Sequence, residues 1–331
     1  MKIDVAAHIM PPKYKEALFN KAPSGFYASQ YVDVVPTLFD LDLRFQIMDK
    51  FEDYIQVLTI ASPPVEVAVG PKDAVELAKL ANDELAELVW KHPYRFAAAV
   101  ACLPMNDFAA ALREADRAIN DLNFRGVQIF TNINGKPLDL PEFIPLYEKM
   151  VSYNLPIWLH PVRPISVADY ATEDYSKYSI WDMLGWPYDT SVAMTRLVIS
   201  GILEKFPTLK IITHHTGGMV SFFADRISEG YDFNEREGFN YKQNLRKPVL
   251  DYYRMFYNDT AIYGRTAGLM CAYDFWDAEH LLFGTDMPYD NQLGYRHIRE
   301  TIRSIEEMAI TDLEKKLIFE DNAKKIMRLP L

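Results

Sequence analysis

Four of the seven histidines, His8, His160, His214 and His215, fall at or just past the end of a short apolar run. Asp286 closes another such run, in Leu-Leu-Phe-Gly-Thr-Asp-Met-Pro. Imidazole and carboxylate are ligand types that hold Zn²⁺ or a similar divalent ion, and imidazole also carries protons near pH 7. Five ionisable groups from four separate segments therefore point to one site, if the fold gathers the ends of those segments.

The charge balance says what such a site must overcome. The formal net charge is −11 and the sequence pI is about 5.2, with no basic block, so nucleic acid and anionic membrane surfaces are disfavoured as partners. A small carboxylate substrate would need local positive charge. Arg44, in LRFQIMDK, Arg163, just after His160-Pro161, and Arg226, past His215, are the candidates. The planar guanidinium suits the task because it donates two parallel hydrogen bonds to a carboxylate.

The elements that must position these groups alternate. Strand-like runs lie at Lys2–Ala6, Tyr54–Ala61, Phe96–Leu103, Gly126–Phe130, Pro156–His160, Lys210–His214, Met255–Asn258 and Leu281–Gly284. They are continuously apolar, as parallel strands covered on both faces are. Helical stretches at Asp73–Lys91, Ala109–Asp121, Pro141–Tyr153, Ser191–Lys205, Gly218–Gly230 and Asp312–Met327 separate most of them. Eight strands alternating with helices predict a (β/α)8 TIM barrel, read as one domain over 1–331 with insertions after strands 1 and 5. The insertions are 14–42 and 163–190.

In a barrel of this kind the C-terminal strand ends face the active site. His214 precedes His215 in one strand, so alternation is expected to turn its side chain towards the helix layer. His92, His280 and His297 sit at a helix end, before a strand and on a terminal helix, and read as ordinary histidines. Phe26, Tyr27, Trp181 and Trp186 in the insertions, with Phe222 and Phe223, could wall a flat substrate or simply pack. Cys102 and Cys271 lie in apolar stretches without a pairing pattern and are expected reduced and buried. The first residues, MKIDVAAHIMPP, do not read as a signal peptide, and no window approaches the roughly 20 apolar residues of a membrane span. A cytoplasmic protein is expected.

In this order and spacing, IDVAAH, RFQIMDKFEDYIQVL, LANDELAELVWKHPYRF, TNINGKPLD, PIWLHP, THHTGG and FGTDMPYD resemble the amidohydrolase-related family (amidohydrolase 2) of the aminocarboxymuconate semialdehyde and γ-resorcylate decarboxylase type. The resemblance runs almost end to end. It implies metal ligation by His8, His160 and Asp286, catalytic acid/base work by His215 with Asp286, and carboxylate binding by Arg44 and Arg226, the latter across a homodimer interface. One position departs. Relatives begin with His-x-His or Glu-x-His, and this chain has Ala6-Ala7-His8, so the first ligand is missing.

The activity so implied is metal-dependent, non-oxidative decarboxylation of a small aromatic or unsaturated acid. Zinc is the expected ion, with manganese or magnesium also compatible. Two alternatives share the scaffold: a metal-dependent hydrolase or hydratase acting on a lactone, amide or enol, and a metal-free barrel with a binding role.

Overall fold

The computed structural model describes residues 1–23, 26 and 32–331. Tyr27 and part of the first insertion lie outside the described residues. Among the described residues, the eight barrel strands are β1 (Lys2–Ile9), β2 (Tyr54–Ile60), β3 (Phe96–Ala99, continued at Ala101–Cys102), β4 (Val127–Phe130), β5 (Ile157–His160), β6 (Ile211–Thr213), β7 (Tyr257–Asp259) and β8 (Leu281–Leu282), with a small antiparallel pair, Asn132–Ile133 and Lys136–Pro137, outside the barrel. Consecutive strands pair in parallel throughout. Closure comes where β8 runs beside β1: Val5 N donates to Phe283 O (2.9 Å), Asp286 N to Ala6 O (2.9 Å) and His8 N to Met287 O (3.0 Å). The (β/α)8 barrel expected from the sequence is therefore present.

The strands are buried almost without interruption. β1 is covered from Ile3 to Ile9, because one face fills the barrel and the other meets helices. The interior is packed by Ile3, Val5, Val57, Ala98, Val100, Trp158, Ile212 and Leu282. Trp158 fits because Gly126 has no side chain; a Cβ there would sit 2.5 Å from the indole. Ala323, Ile326, Met327 and Leu329 join this cluster from the chain's last helical turns and close the bottom of the barrel. The strands' C-terminal ends form the opposite mouth.

The helices form where local chemistry starts and stops them. These are α1 (Pro12–Lys21), α2 (Leu41–Met48), α3 (Pro71–Lys91), α4 (Phe108–Asn120), α5 (Ile144–Tyr153), α6 (Gly185–Ile199), α7 (Ala224–Arg236), α8 (Thr266–Trp276) and α9 (Tyr295–Glu306). The Asp40 and Asp107 side chains cap α2 and α4 by accepting from Leu43 N and Ala110 N. Two boundaries correct the sequence reading. α6 begins at Gly185, inside the second insertion, and breaks at Ser200–Gly201 before the short turn Ile202–Lys205. α7 starts at Ala224 rather than Gly218, because positive φ at His215, Thr216, Gly217 and Gly218 holds that stretch out of the helix.

Beneath the site, β1 and β8 are cross-linked by a buried polar network. Asp4 accepts from Ala6 N (3.1 Å), Thr285 N (3.0 Å), Thr285 Oγ1 (2.5 Å) and Tyr54 Oη (2.5 Å). Tyr54 accepts from Gln56 Nε2 (2.9 Å), and Gln56 Oε1 accepts from Arg44 Nε (2.8 Å). Burial pushes the Asp4 carboxyl up, and the four hydrogen bonds oppose that rise only in part.

Candidate active site

β1 delivers His8, β5 His160, β6 the His214–His215 pair, and β8 leads into Asp286. All five side chains are buried, and the structure brings all five together. The His160 ring lies 5.2 Å from His8, 4.7 Å from His214 and 6.3 Å from His215, centroid to centroid. Asp286 reaches two of them: Oδ1 is 3.0 Å from His8 Nε2, and Oδ2 is 3.3 Å from His215 Nε2.

The position of His214 corrects the expectation that it faces the helices. β6 ends at Thr213, and His214 continues extended (φ −80°, ψ 159°). His215 then turns into the left-handed region at φ 55°, so strand alternation stops and both imidazoles point into the mouth. Asp286 (φ 59°) and Tyr263 (φ 58°) share that unusual backbone. Each such non-glycine residue costs on the order of 1–3 kcal/mol and persists only where its surroundings enforce it.

Second contacts fix the rings. His160 Nδ1 donates to Pro161 O (2.7 Å), which leaves Nε2 as a lone pair. His8 Nδ1 engages Thr59 Oγ1 (3.0 Å), leaving Nε2 towards Asp286. His214 Nδ1 lies 2.9 Å from Asp259 Oδ2. His214 Nε2 has no hydrogen-bond partner, and His8 Nε2 meets only the Asp286 carboxylate at 3.0 Å. Among the described residues, ring nitrogens of His8, His160 and His214 lie within 4.8 Å of one another, and all three rings are buried.

Electrostatics sort the groups by role. Burial and the neighbouring imidazoles hold His160 well below its ordinary value. Burial also lowers His214, although Asp259 pulls the other way. Both are therefore neutral, the form that binds a cation. Burial would lower His215 too, but the Asp286 carboxylate outweighs it and raises the ring. Burial opposes ionisation of Asp286, yet His215 and His8 hold its carboxyl well below the usual range. Tyr263, at the rim, donates to Asp286 Oδ2 (2.7 Å), and burial of its hydroxyl beside that carboxylate keeps it a phenol.

This donor set fits a divalent ion. A buried His214 nitrogen without a partner, beside the His8 and His160 rings and an ionised carboxylate, offers the donors that a divalent cation takes.

The arginines are placed less uniformly. Arg44 is fully buried under β1, donating to Gln56 Oε1, His8 O (2.8 Å) and Thr37 O (3.2 Å), with Nη2 unpartnered. Burial brings it down to about 10, so it stays cationic at neutral pH. Arg163 is half-buried against Gly185 and paired with Asp189 (3.1 Å). Arg226 stands exposed on α7, in a groove of about 420 Å³ with Tyr188, Phe223, Ile227 and Tyr231. Of the aromatic candidates, Trp186 stacks on His215 (6.3 Å, 24°) and meets His160 edge-on (5.4 Å), with Trp181 behind it. Phe222 and Phe223 are exposed on the far side of the turn. Cys102 is buried as expected, whereas Cys271 is half-buried; both are free thiols.

Sequence reasoning missed Asp259 and Tyr263, and it read His297 as ordinary. In the structure His297 Nδ1 contacts Asp286 O (3.2 Å) and its ring stacks on Tyr263 (4.4 Å). The strand-end criterion would have found Asp259 had β7 been extended by one residue.

Known proteins match along the whole chain. γ-Resorcylate decarboxylase of Polaromonas sp. is 30% identical over 295 residues, covering 87% of each chain. 2-Amino-3-carboxymuconate-6-semialdehyde decarboxylase of Dictyostelium discoideum is 27% identical over 332 residues, covering 96% of this chain and 89% of the relative. A crystal structure of 2,6-dihydroxybenzoate decarboxylase complexed with 2,6-dihydroxybenzoate superimposes with a TM-score of 0.83 at 26% identity, over 99% of both chains. That of a dihydroxybenzoic acid decarboxylase from Polaromonas sp., with bound manganese and 2-nitroresorcinol, gives 0.82 at 27% identity, covering 99% of this chain and 96% of the other. The amidohydrolase profile Amidohydro_2 matches residues 3–329, and the chain belongs to that family.

Proposed function

We propose that this protein is a metal-dependent carboxy-lyase that removes CO2 from a small aromatic acid without oxidation, the whole of 1–331 acting as one catalytic unit. The observation that carries this is the His215–Asp286 pair at 3.3 Å beside the imidazole cluster. It sets a proton donor next to a cation site, and relatives decarboxylate γ-resorcylate and 6-methylsalicylate.

His8, His160 and Asp286 are the proposed ligands. The bound ion supplies Lewis acidity towards the substrate's carboxylate or neighbouring hydroxyl. Zinc suits this imidazole-rich set, although manganese is bound in relatives' structures.

The chain's own residues manage the proton. Asp286 raises His215, which favours the protonated ring needed for an acid. With Nε2 on Asp286, Nδ1 is the nitrogen without a protein partner, and it hands its proton to the ring carbon bearing the carboxylate. The C–CO2 bond then breaks, its electrons restore the aromatic ring, CO2 departs, and a proton from solvent recharges His215. Trp186 supports the His215 ring and offers a flat wall. Arg44, through its unpartnered Nη2, and Arg163 supply the positive charge for the carboxylate.

Arg226 is exposed on this chain, so a role at a site requires a second copy seated on the α6–α7 groove, as a homodimer would provide. Two free cysteines suit a cytoplasmic setting. No helix among the described residues is long and apolar enough to cross a membrane.

The test is product analysis. Protein loaded with Zn²⁺ or Mn²⁺ is given a panel of hydroxybenzoates, and CO2 and the decarboxylated arene are quantified together. Equimolar release supports the assignment. Silence on that panel combined with hydrolysis of a lactone or amide would replace it with the hydrolase reading.

A further inference from the structure

We propose that His214, steered by Asp259, takes the ligand place lost at Ala6, giving this chain a three-imidazole metal centre. The inference rests on the reading that a divalent ion sits at the strand ends, and it changes which residues hold it.

Ala6 is fully buried on β1, two residues before His8, in the stretch where the β1–β2 register shifts between Asp4 and Ala7. A methyl group there cannot ligate. The space around it has been reassigned. A Cβ built on Gly284 would lie 3.0 Å from Ala6 Cβ and 2.8 Å from Asp259 Cβ, so these three residues crowd one point of the interior. Two of them carry almost no side chain, and the room goes to the Asp259 carboxylate.

That carboxylate is fixed and aimed. Asp259 Oδ1 accepts from Ala261 N (3.0 Å) and Thr216 N (3.4 Å). Oδ2 stands 2.9 Å from His214 Nδ1, an ion-pair contact without a completed hydrogen bond on either atom, and both side chains are 1% exposed. A carboxylate can only accept, so at this distance it favours the tautomer with the proton on Nδ1 and the lone pair on Nε2. This is the carboxylate–histidine arrangement that orients a metal ligand and raises its basicity. His214 Nε2 is buried without a partner.

The distances suit an ion entering a slightly open site. The three histidines' ring nitrogens lie within 4.8 Å of one another. Zinc with Zn–N bonds of about 2.0–2.1 Å sets tetrahedral ligands about 3.4 Å apart, so the rings need to move inward by about 1 Å. Asp286, through Oδ1, is the fourth donor, with Oδ2 left to His215. The left-handed turn at His215 makes the doublet usable, because one residue ligates while the next carries protons. A site of three imidazoles and one carboxylate also favours zinc over manganese, which prefers oxygen.

The test reads metal binding rather than turnover. X-ray absorption on the zinc-loaded wild-type protein counts imidazoles directly, and three are expected. Zinc and manganese affinities are then measured by competition with a chromophoric chelator. His214→Ala should weaken zinc binding at least about tenfold, and Asp259→Asn by about 10–100-fold. His215→Ala should leave the count of three imidazoles in the spectrum unchanged. Adding Ala6→Glu to His214→Ala should restore binding and shift preference towards manganese. Two imidazoles in the wild-type spectrum, or wild-type affinity in His214→Ala, overturns the proposal. If the wild-type protein binds neither metal, the metal-dependent decarboxylase reading falls with it. If it binds zinc and releases CO2 while ignoring His214, only this inference fails.

Discussion

Nε2 of His215 lies 3.3 Å from Oδ2 of Asp286, and both residues hold their backbones in the left-handed region, at φ 55° and 59°. Two strained residues from β6 and β8 meet at one hydrogen-bond distance. Neither conformation is favourable by itself, so packing around the mouth maintains the pair. Its electrical consequence is reciprocal, with the carboxyl held low and the imidazole held high.

If His215 carries the proton, His215→Ala should lower kcat by about 10²–10⁴-fold. Metal content, measured by plasma mass spectrometry, should stay at the wild-type level. Parallel loss of metal would make His215 a ligand instead of an acid.

Trp186 stacks on His215 at 24° and touches His160 edge-on. Trp186→Ala should therefore raise KM and reduce kcat together, each by roughly 5–10-fold given about 1 kcal/mol for an aromatic contact. An unchanged kcat with a raised KM would show that the indole walls the substrate without steadying the acid.

Glu66 gives a pH dependence outside the proposed ligand set, in a pocket that shares Phe130 with His160. It is buried beside Pro63, Cys102 and Gln128, and burial pushes its carboxyl up to about 8 from 4.5. Below about pH 4.5 the group is protonated in both folded and unfolded chains. From there to about 8 the unfolded chain loses the proton and the folded one keeps it. Stability should thus fall as pH rises through that window and level off above it, by a few kcal/mol in all. Glu66→Gln should remove this slope, so its urea midpoint should exceed that of the wild type by more at pH 8 than at pH 5. Parallel midpoints at the two pH values would contradict the assignment.

Asp4 ties β1 to β8 and to Tyr54 through four accepted hydrogen bonds. Asp4→Ala leaves four buried donors without a partner and should cost about 3–5 kcal/mol in equilibrium urea unfolding. A loss below about 1 kcal/mol would mean that backbone pairing alone holds the seam.

Much of this was legible in the sequence because burial writes itself into composition. Continuous runs such as VLTIA and PIWLH mark parallel strands, and a barrel places their ends on one side. His8, His160, His215 and Asp286 could be grouped on that basis alone. The His214 side chain could not be placed, because alternation assumes a strand that continues, and the turn depends on Thr216 and two glycines accepting positive φ. Arg44 shows the converse. Its sequence context marks a carboxylate binder, yet most of its donors go to His8 O, Thr37 O and Gln56, contacts set by where α2 docks against β1 and β2. Tyr263 lies in a loop whose aim is set by stacking on His297, and no local periodicity encodes that.

The seam between β1 and β8 joins Asp4 to Thr285 across 281 positions. Contacts this distant are late ones, since loop closure must be met before they stabilise anything. During synthesis His8 emerges long before Asp286 and waits, in a sheet with an unpaired edge, until that carboxylate arrives. An ion held by the ligands proposed above would be captured only after ring closure, and its presence would report that the last strand has docked.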